Sequence, residues 1–130
     1  MYGLGREMIK VAHRGNTRGS KRSMENDPDY IREALEEGYY CEVDVWFSEG
    51  NFYLGHDKPA YPTDIDFLHD EKLICHAKNI EALHEMLSYP DVHCFWHEKD
   101  YCTVTSWGWV WKYPEIYSDG KLHGICSDWL

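Results

Sequence analysis

The chain has 130 residues, 43% of them hydrophobic and 28% charged, with a formal net charge of −10. That length and balance predict one globular domain, residues 1–130, with a modest core, and exclude a disordered or low-complexity chain. The negative charge argues against nucleic acid or an anionic membrane surface as a broad partner, and no apolar run is long enough for an integral membrane segment.

Met1–Lys10 lacks the apolar centre of a signal peptide. Met8–Ala12 reads as a short buried strand ending at His13, and residues 16–23, rich in Gly, Ser, Thr, Lys and Arg, read as a loop. Asp27-Pro28 opens a helix, with Asp27 as its cap, Ile31, Ala34 and Leu35 as its apolar stripe and Gly38 as its end. From Tyr39 to Phe47 the pattern alternates. Tyr39, Cys41, Val43 and Val45 share one face, and Tyr40, Glu42, Asp44 and Trp46 the other. Glu49-Gly50-Asn51 predicts a hairpin turn into a strand over 52–55, which ends at His56. Residues 59–70 read as a loop with at most one helical turn. Leu73–Ala77 is a strand, Asn79 caps a helix running to about Ser88 with Ile80, Leu83 and Leu87 on one side, and Val92–Trp96 is a strand again. Residues 103–111 predict a hairpin around Gly108, and Gly124–Ser127 a last small strand. The five cysteines (Cys41, Cys75, Cys94, Cys102, Cys126) lie in apolar, strand-like settings without a CxxC pair. They read as buried reduced thiols of a cytoplasmic protein.

Four segments place polar residues where strands end. In Glu42-x-Asp44 the strand's period of two puts both carboxylates on one face, roughly 6–7 Å apart along the chain, an arrangement suited to a hard cation. A solvated acidic strand face is the alternative. His13-Arg14-Gly15 offers an imidazole for proton transfer, a guanidinium fork for phosphate oxygens, and a glycine where the backbone turns beside a ligand. His56-Asp57 follows the hairpin partner of the acidic strand and should lie near it. His76-x-Lys78 adds an imidazole and a cation on the face of Ile74. Downstream, His93, Phe95 and His97 share a face, and Trp96, Trp107, Trp109 and Trp111 cluster as packing or as an aromatic patch for a substrate or partner.

In this order, and with Glu25-Asn26 before the first helix, these motifs resemble the glycerophosphodiester phosphodiesterase family, closely over about residues 9–57 and loosely beyond. The family's usual Glu-x-Lys stands here as His76-Ala77-Lys78, and Gly124–Asp128 looks like its closing strand. The resemblance implies an α/β fold, a reduced TIM-like (β/α) barrel with loops in place of most outer helices, or a partial barrel completed by a second copy in a homo-oligomer. It implies metal-dependent hydrolysis of a small glycerophosphodiester-like phosphodiester. His13 and His56 would be the acid/base pair, His13 as base and His56 as acid, and Arg14 and Lys78 would hold the phosphate. A divalent metal would sit on Glu42 and Asp44, with His76 at the family's third acidic position and Glu25 as a further ligand or a brace for Arg14. Mg²⁺ or Ca²⁺ is the expected ion, and an imidazole ligand tilts the set toward Mg²⁺, Mn²⁺ or Zn²⁺. Two alternatives remain: phospholipase D-like cleavage of a lipid phosphodiester, and a degenerate barrel that binds metal, phosphate or a partner without turnover.

Overall fold

The computed structural model describes residues 8–118 and 121–130; residues 1–7, most of the Met1–Lys10 stretch read for a leader, lie outside them. Its centre is a set of parallel strands: β1 (Ile9–His13), β2 (Tyr40–Ser48), β5 (Leu73–Ala77), β6 (Cys94–Trp96) and β10 (Lys121–Ser127). They lie side by side in the order β10–β1–β2–β5–β6. β2 outruns β1, and its far end pairs with β3 (Asn51–Leu54), which carries β4 (Tyr61–Thr63) on its outer edge. On the other flank β7 (Thr103–Val104), β8 (Val110–Lys112) and β9 (Glu115–Ser118) run back to β10 as an antiparallel meander. The sheet curls so far that the residue pair after β7 reaches β6. The Ser106 N–H donates to the Cys94 carbonyl at 2.7 Å, and Ser106 Oγ accepts from the Cys94 N–H at 2.9 Å.

The expected TIM-like barrel is not formed. The described residues hold ten strands and only three short helices: α1 (Pro28–Glu36), α2 (Ile65–Leu68) and α3 (Ile80–Leu87). The sheet is a curled, mixed half-barrel. The reason lies between residues 97 and 120, where no stretch has the period or length to bury a helical face, while Gly108 and the Tyr113-Pro114 step break the chain into strands of two to four residues. Connections that short join antiparallel neighbours, because a parallel return needs a crossover of a dozen residues or more.

Local signals set most of the rest. Asp27 caps α1, accepting from the Asp29 N–H at 2.9 Å, and Pro28 fills its first turn. Glu49 and Gly50 both have positive φ, at 51° and 81°, which gives the two-residue hairpin turn between β2 and β3. β4 and β9, unread in the sequence, are an edge strand interrupted by Pro62 and a four-residue strand that starts just after Pro114.

The helices cover the outer face of the sheet, where Cys41, Val43, Val45, Leu73 and Cys75 pack with Ile31, Ala34, Ala82 and Met86. The inner face is filled at its lower level by Val11, Ile74, Phe95, Trp111, Ile116 and Cys126. The packing face of α3 differs from the Ile80–Leu83–Leu87 expectation. Ala82 and Met86 are buried and Leu83 is partly so, whereas Ile80 and Leu87 are 64% and 54% exposed. The rotation is fixed by Asn79. Its Oδ1 accepts from the N–H groups of Ala82 and Phe47, and its amide donates to the Phe47 carbonyl at 3.0 Å. Four cysteines are buried free thiols, but Cys102 is exposed. No described helix is long and apolar enough to cross a membrane.

Asn79→Ala removes both the α3 cap and the tie to β2. It is expected to lower unfolding free energy by about 1–3 kcal/mol in urea titration, while Leu87→Ala stays within about 0.5 kcal/mol, as an exposed site should.

Candidate functional site

Because β10, β1, β2, β5 and β6 run the same way, their C-terminal ends share one rim of the curl. Alternate residues of each strand point inward. Climbing from the apolar plug, β1 passes from Val11 to His13, β2 from Tyr40 to Glu42 and Asp44, and β5 from Ile74 to His76. The register places His13 beside Glu42 and Asp44 beside His76. The acidic face of β2 is therefore no solvated surface: Glu42 is 2% and Asp44 1% exposed.

Buried carboxylates must be paired or bound. Asp44 Oδ2 accepts from the Asn26 amide at 2.9 Å, lies 3.3 Å from Arg14 Nε and is 3.4 Å from His56 Nδ1. The Asn26 Oδ1 accepts in turn from the Asp44 N–H at 2.9 Å, so one side chain clamps both the backbone and the carboxylate of Asp44. His76 Nδ1 sits between the two acids, 3.2 Å from Asp44 Oδ1 and 3.7 Å from Glu42 Oε2. Its Nε2 meets the His97 carbonyl at 2.8 Å, and its ring stacks on Phe95. Burial alone would raise the Asp44 pKa, but the His56 and His76 imidazoles and the Asn26 amide reverse this and hold it well below the usual carboxylate range. Burial likewise disfavours charge on His76, and the two carboxylates outweigh it, raising its pKa from 6.5 to about 9. Glu42 Oε1 and Asp44 Oδ1 remain buried with no aligned hydrogen-bond partner. Ligand atoms of Glu42, Asp44 and His76 all lie within 4.8 Å of one another, the one such cluster among the described residues.

His13 is held from behind. Its Nδ1 lies 3.0 Å from Asp128 Oδ1, just past β10, and its Nε2 faces Glu42 Oε1 at 3.8 Å. A carboxylate on Nδ1 keeps the proton there, so the neutral ring presents a lone pair at Nε2. Asp128 is fixed by the Asn16 amide at 3.0 Å. Arg14 and Asn26 both occupy the left-handed region, with φ 57° and 67°, and backbone bonds pin them: Arg14 N–H to Glu42 O at 2.9 Å, Asn26 N–H to Arg14 O at 3.1 Å. Gly15 has φ 90°, and a Cβ there would come within 2.9 Å of the Ile31 and Tyr30 side chains. The third residue of His-Arg-Gly is thus required by the packing of α1.

Arg14 reaches across the rim, to Glu25 Oε1 at 3.3 Å and to His56 Nε2 at 3.3 Å. A guanidinium can only donate, so His56 Nε2 accepts and its Nδ1–H points to Asp44. Glu25 has both oxygens engaged, Oε2 accepting from Asn16 at 2.9 Å and Ser20 at 2.7 Å. Its burial raises the carboxyl pKa, and those donors with Arg14 bring it below the usual value. Its geometry is that of a brace for Arg14, and it stands outside the Glu42–Asp44–His76 cluster. Lys78, one residue beyond β5, lines a cavity of about 280 Å³ with His56, His76, His97 and Glu98. A second cavity, about 260 Å³, is walled by His13, Glu42 and His76 and by the rings of Phe95, Trp111 and Tyr113. A third, about 320 Å³, opens on the far side of Arg14 and His56.

All eight residues singled out in the sequence therefore gather at this rim. Asp128 and Asn16 were missed, and Asn26 was noticed only as part of a dipeptide. The sequence does carry one signal for Asp128: it stands two places after buried Cys126, where an inward residue of β10 would emerge. The chain matches no family model, no curated protein and no solved structure.

The pH dependence of stability follows from His76. Its pKa is raised on folding, so its contribution is complete below about 6.5 and is lost as pH rises through about 9. The melting temperature of the metal-free protein is expected to fall across that window, and His76→Gln to flatten the profile, as calorimetry at fixed ionic strength will read.

Proposed function

We propose that the chain is a metal-dependent phosphodiesterase of the glycerophosphodiester phosphodiesterase kind, acting on a small phosphodiester. One observation carries the reading. Two imidazoles, His13 backed by Asp128 and His56 held between Arg14 and Asp44, flank a buried acidic pair in which Glu42 Oε1 and Asp44 Oδ1 accept no aligned hydrogen bond. A purely structural cluster would close these contacts with aligned donors. Here Glu42 Oε1 faces His13 Nε2 at 3.8 Å and Asp44 Oδ1 faces His76 Nδ1 at 3.2 Å, neither in an aligned hydrogen bond, and Glu42 borders a cavity.

The donor set suits a divalent cation: two hard carboxylates and one imidazole whose other nitrogen is already bonded to a carbonyl, the usual support for a ligating histidine. Glu42, Asp44 and His76 would hold it. Bound there, such an ion supplies Lewis-acid polarisation of the phosphoryl oxygens. The remaining work falls to the chain's own groups. Arg14, braced by Glu25 and aligned over His56, and Lys78 on the other side present positive charge to the non-bridging oxygens. His13 Nε2, bare while Asp128 keeps the proton on Nδ1, takes the proton of an attacking hydroxyl. That hydroxyl is the substrate's own, next to the phosphate, or water. A new P–O bond forms as the bond to the departing alcohol breaks, and the protonated form of His56 delivers a proton to the alkoxide.

A second reading has its own support. His76 stands where the resembled family carries Glu, and its imidazolium already gives both acids a positive neighbour. In that reading the rim binds phosphate without turnover.

Phosphorus NMR separates the two. With Mg²⁺ the protein is expected to hydrolyse glycerophosphoglycerol, and chelation to stop it; absence of turnover with any divalent ion leaves only the second reading. His13→Ala is expected to cost roughly 10²–10⁴-fold in kcat. Asp128→Asn, which leaves the ring in place but removes the charge behind Nδ1, is expected to lower kcat more than it raises KM.

A further inference from the structure

We infer that the cavity on the far side of Arg14 is a subsite for a second anionic group, so that the preferred substrate is a phosphodiester with a phosphate or carboxylate on the arm lying there. The inference rests on the phosphodiesterase reading and adds the class of substrate. In a chain of net charge −10, the loop after β1 gathers Arg14, Arg18, Lys21 and Arg22 within nine positions. Arg22 from this loop and Lys58 from the loop after β3 line one cavity of about 320 Å³ with Arg14 and His56. That volume suits a small-molecule arm.

The charges in this cavity do not cancel. Arg14 is matched by Glu25 at 3.3 Å and by Asp44 at 3.3 Å. Glu25 is spent on Arg14, Asn16 and Ser20. Asp57 lies 3.7 Å from His56 Nε2. Arg22 and Lys58 form no ion pair among the described residues. Arg14, Arg22 and Lys58 thus stand against Glu25 and Asp57 in the lining, which leaves a net positive charge carried by two cations without ion pairs, in a concave space where their field is less screened than on open surface. The scissile phosphate has its own cations in Arg14, 3.3 Å from Asp44, and Lys78, which shares a cavity with His76.

Gly55 shapes the Lys58 side of this space. A Cβ at Gly55 would collide with the Lys58 carbonyl, so the chain can fold back there only without a side chain, which brings Lys58 over the cavity beside His56.

The test compares glycerophosphoglycerol with its terminal phosphate monoester, in Mg²⁺, by kcat/KM. Wild type is expected to prefer the phosphorylated diester by about tenfold, mostly through KM, as charge-assisted hydrogen bonds provide, and the preference should shrink with added salt. Arg22→Ala with Lys58→Ala, both at exposed positions, is expected to bring the ratio near one. Lys72→Ala, a loss of one positive charge before β5 at the opposite rim, leaves the ratio unchanged. Glycerophosphoserine distinguishes a carboxylate from a phosphate requirement. Equal kcat/KM for both diesters in wild type, or a ratio that Lys72→Ala lowers as much as the double variant does, overturns the subsite while the phosphodiesterase stands. Turnover of neither diester overturns the phosphodiesterase and the subsite with it.

Discussion

Two carboxylates on the inside of a strand are the constraint from which the site follows. Glu42 and Asp44 lie at 2% and 1% exposure, where an unpaired charge would cost several kcal/mol. Every neighbour at that level answers them: Asn26 and Arg14 on Asp44, His76 between the two acids, and His13 toward Glu42. The answer is incomplete by design of the backbone. Donors approach from the β1 and α1 side and from β5, and one oxygen of each acid accepts no aligned hydrogen bond. A fold that needed the acids only for stability would do better with apolar side chains of similar volume.

The strand direction makes this arrangement economical. Five parallel strands bring residues from positions 13 to 128 to one rim, while the antiparallel β7–β9 needs only to wall the opposite side. Trp111 and Ile116 from that wall complete the plug beneath the site, and Tyr113 leans on His13 with ring centres 5.1 Å apart. The aromatic tail thus has a packing role at Trp111 and a lining role at Tyr113. His93, stacked on Trp107 and bonded through Nε2 to Thr105 Oγ at 2.7 Å, belongs to the seam that joins β6 to the meander. Its burial lowers its pKa to about 4, so it is neutral there.

What could be read from the sequence was what local chemistry decides. The α1 cap at Asp27-Pro28, the Glu49-Gly50 turn and the alternation along β2 each involve residues a few positions apart, and each gave the right element. The α3 face went wrong because its rotation is set by Asn79 bonding to Phe47, 32 positions away. Asp128 was missed because its role exists only through the parallel pairing of β10 with β1, a contact across 115 positions. The barrel expectation failed for a related reason: between residue 78 and the closing strand at 124–128 the resemblance is loose, and the chain there follows its own turn residues into a meander.

The remaining open edge of the sheet has a consequence for the molecule's behaviour in a crowded solution. β4 is three residues long and centred on Pro62, opposite Tyr53. Proline brings no amide proton, so a foreign strand laid along this border finds its ladder broken at the middle rung. At the opposite border β7 has only two residues. A sheet of this breadth would ordinarily invite stacking of copies through their borders, and here the end strands β4, β6 and β7, three, three and two residues long, are too short to seed it.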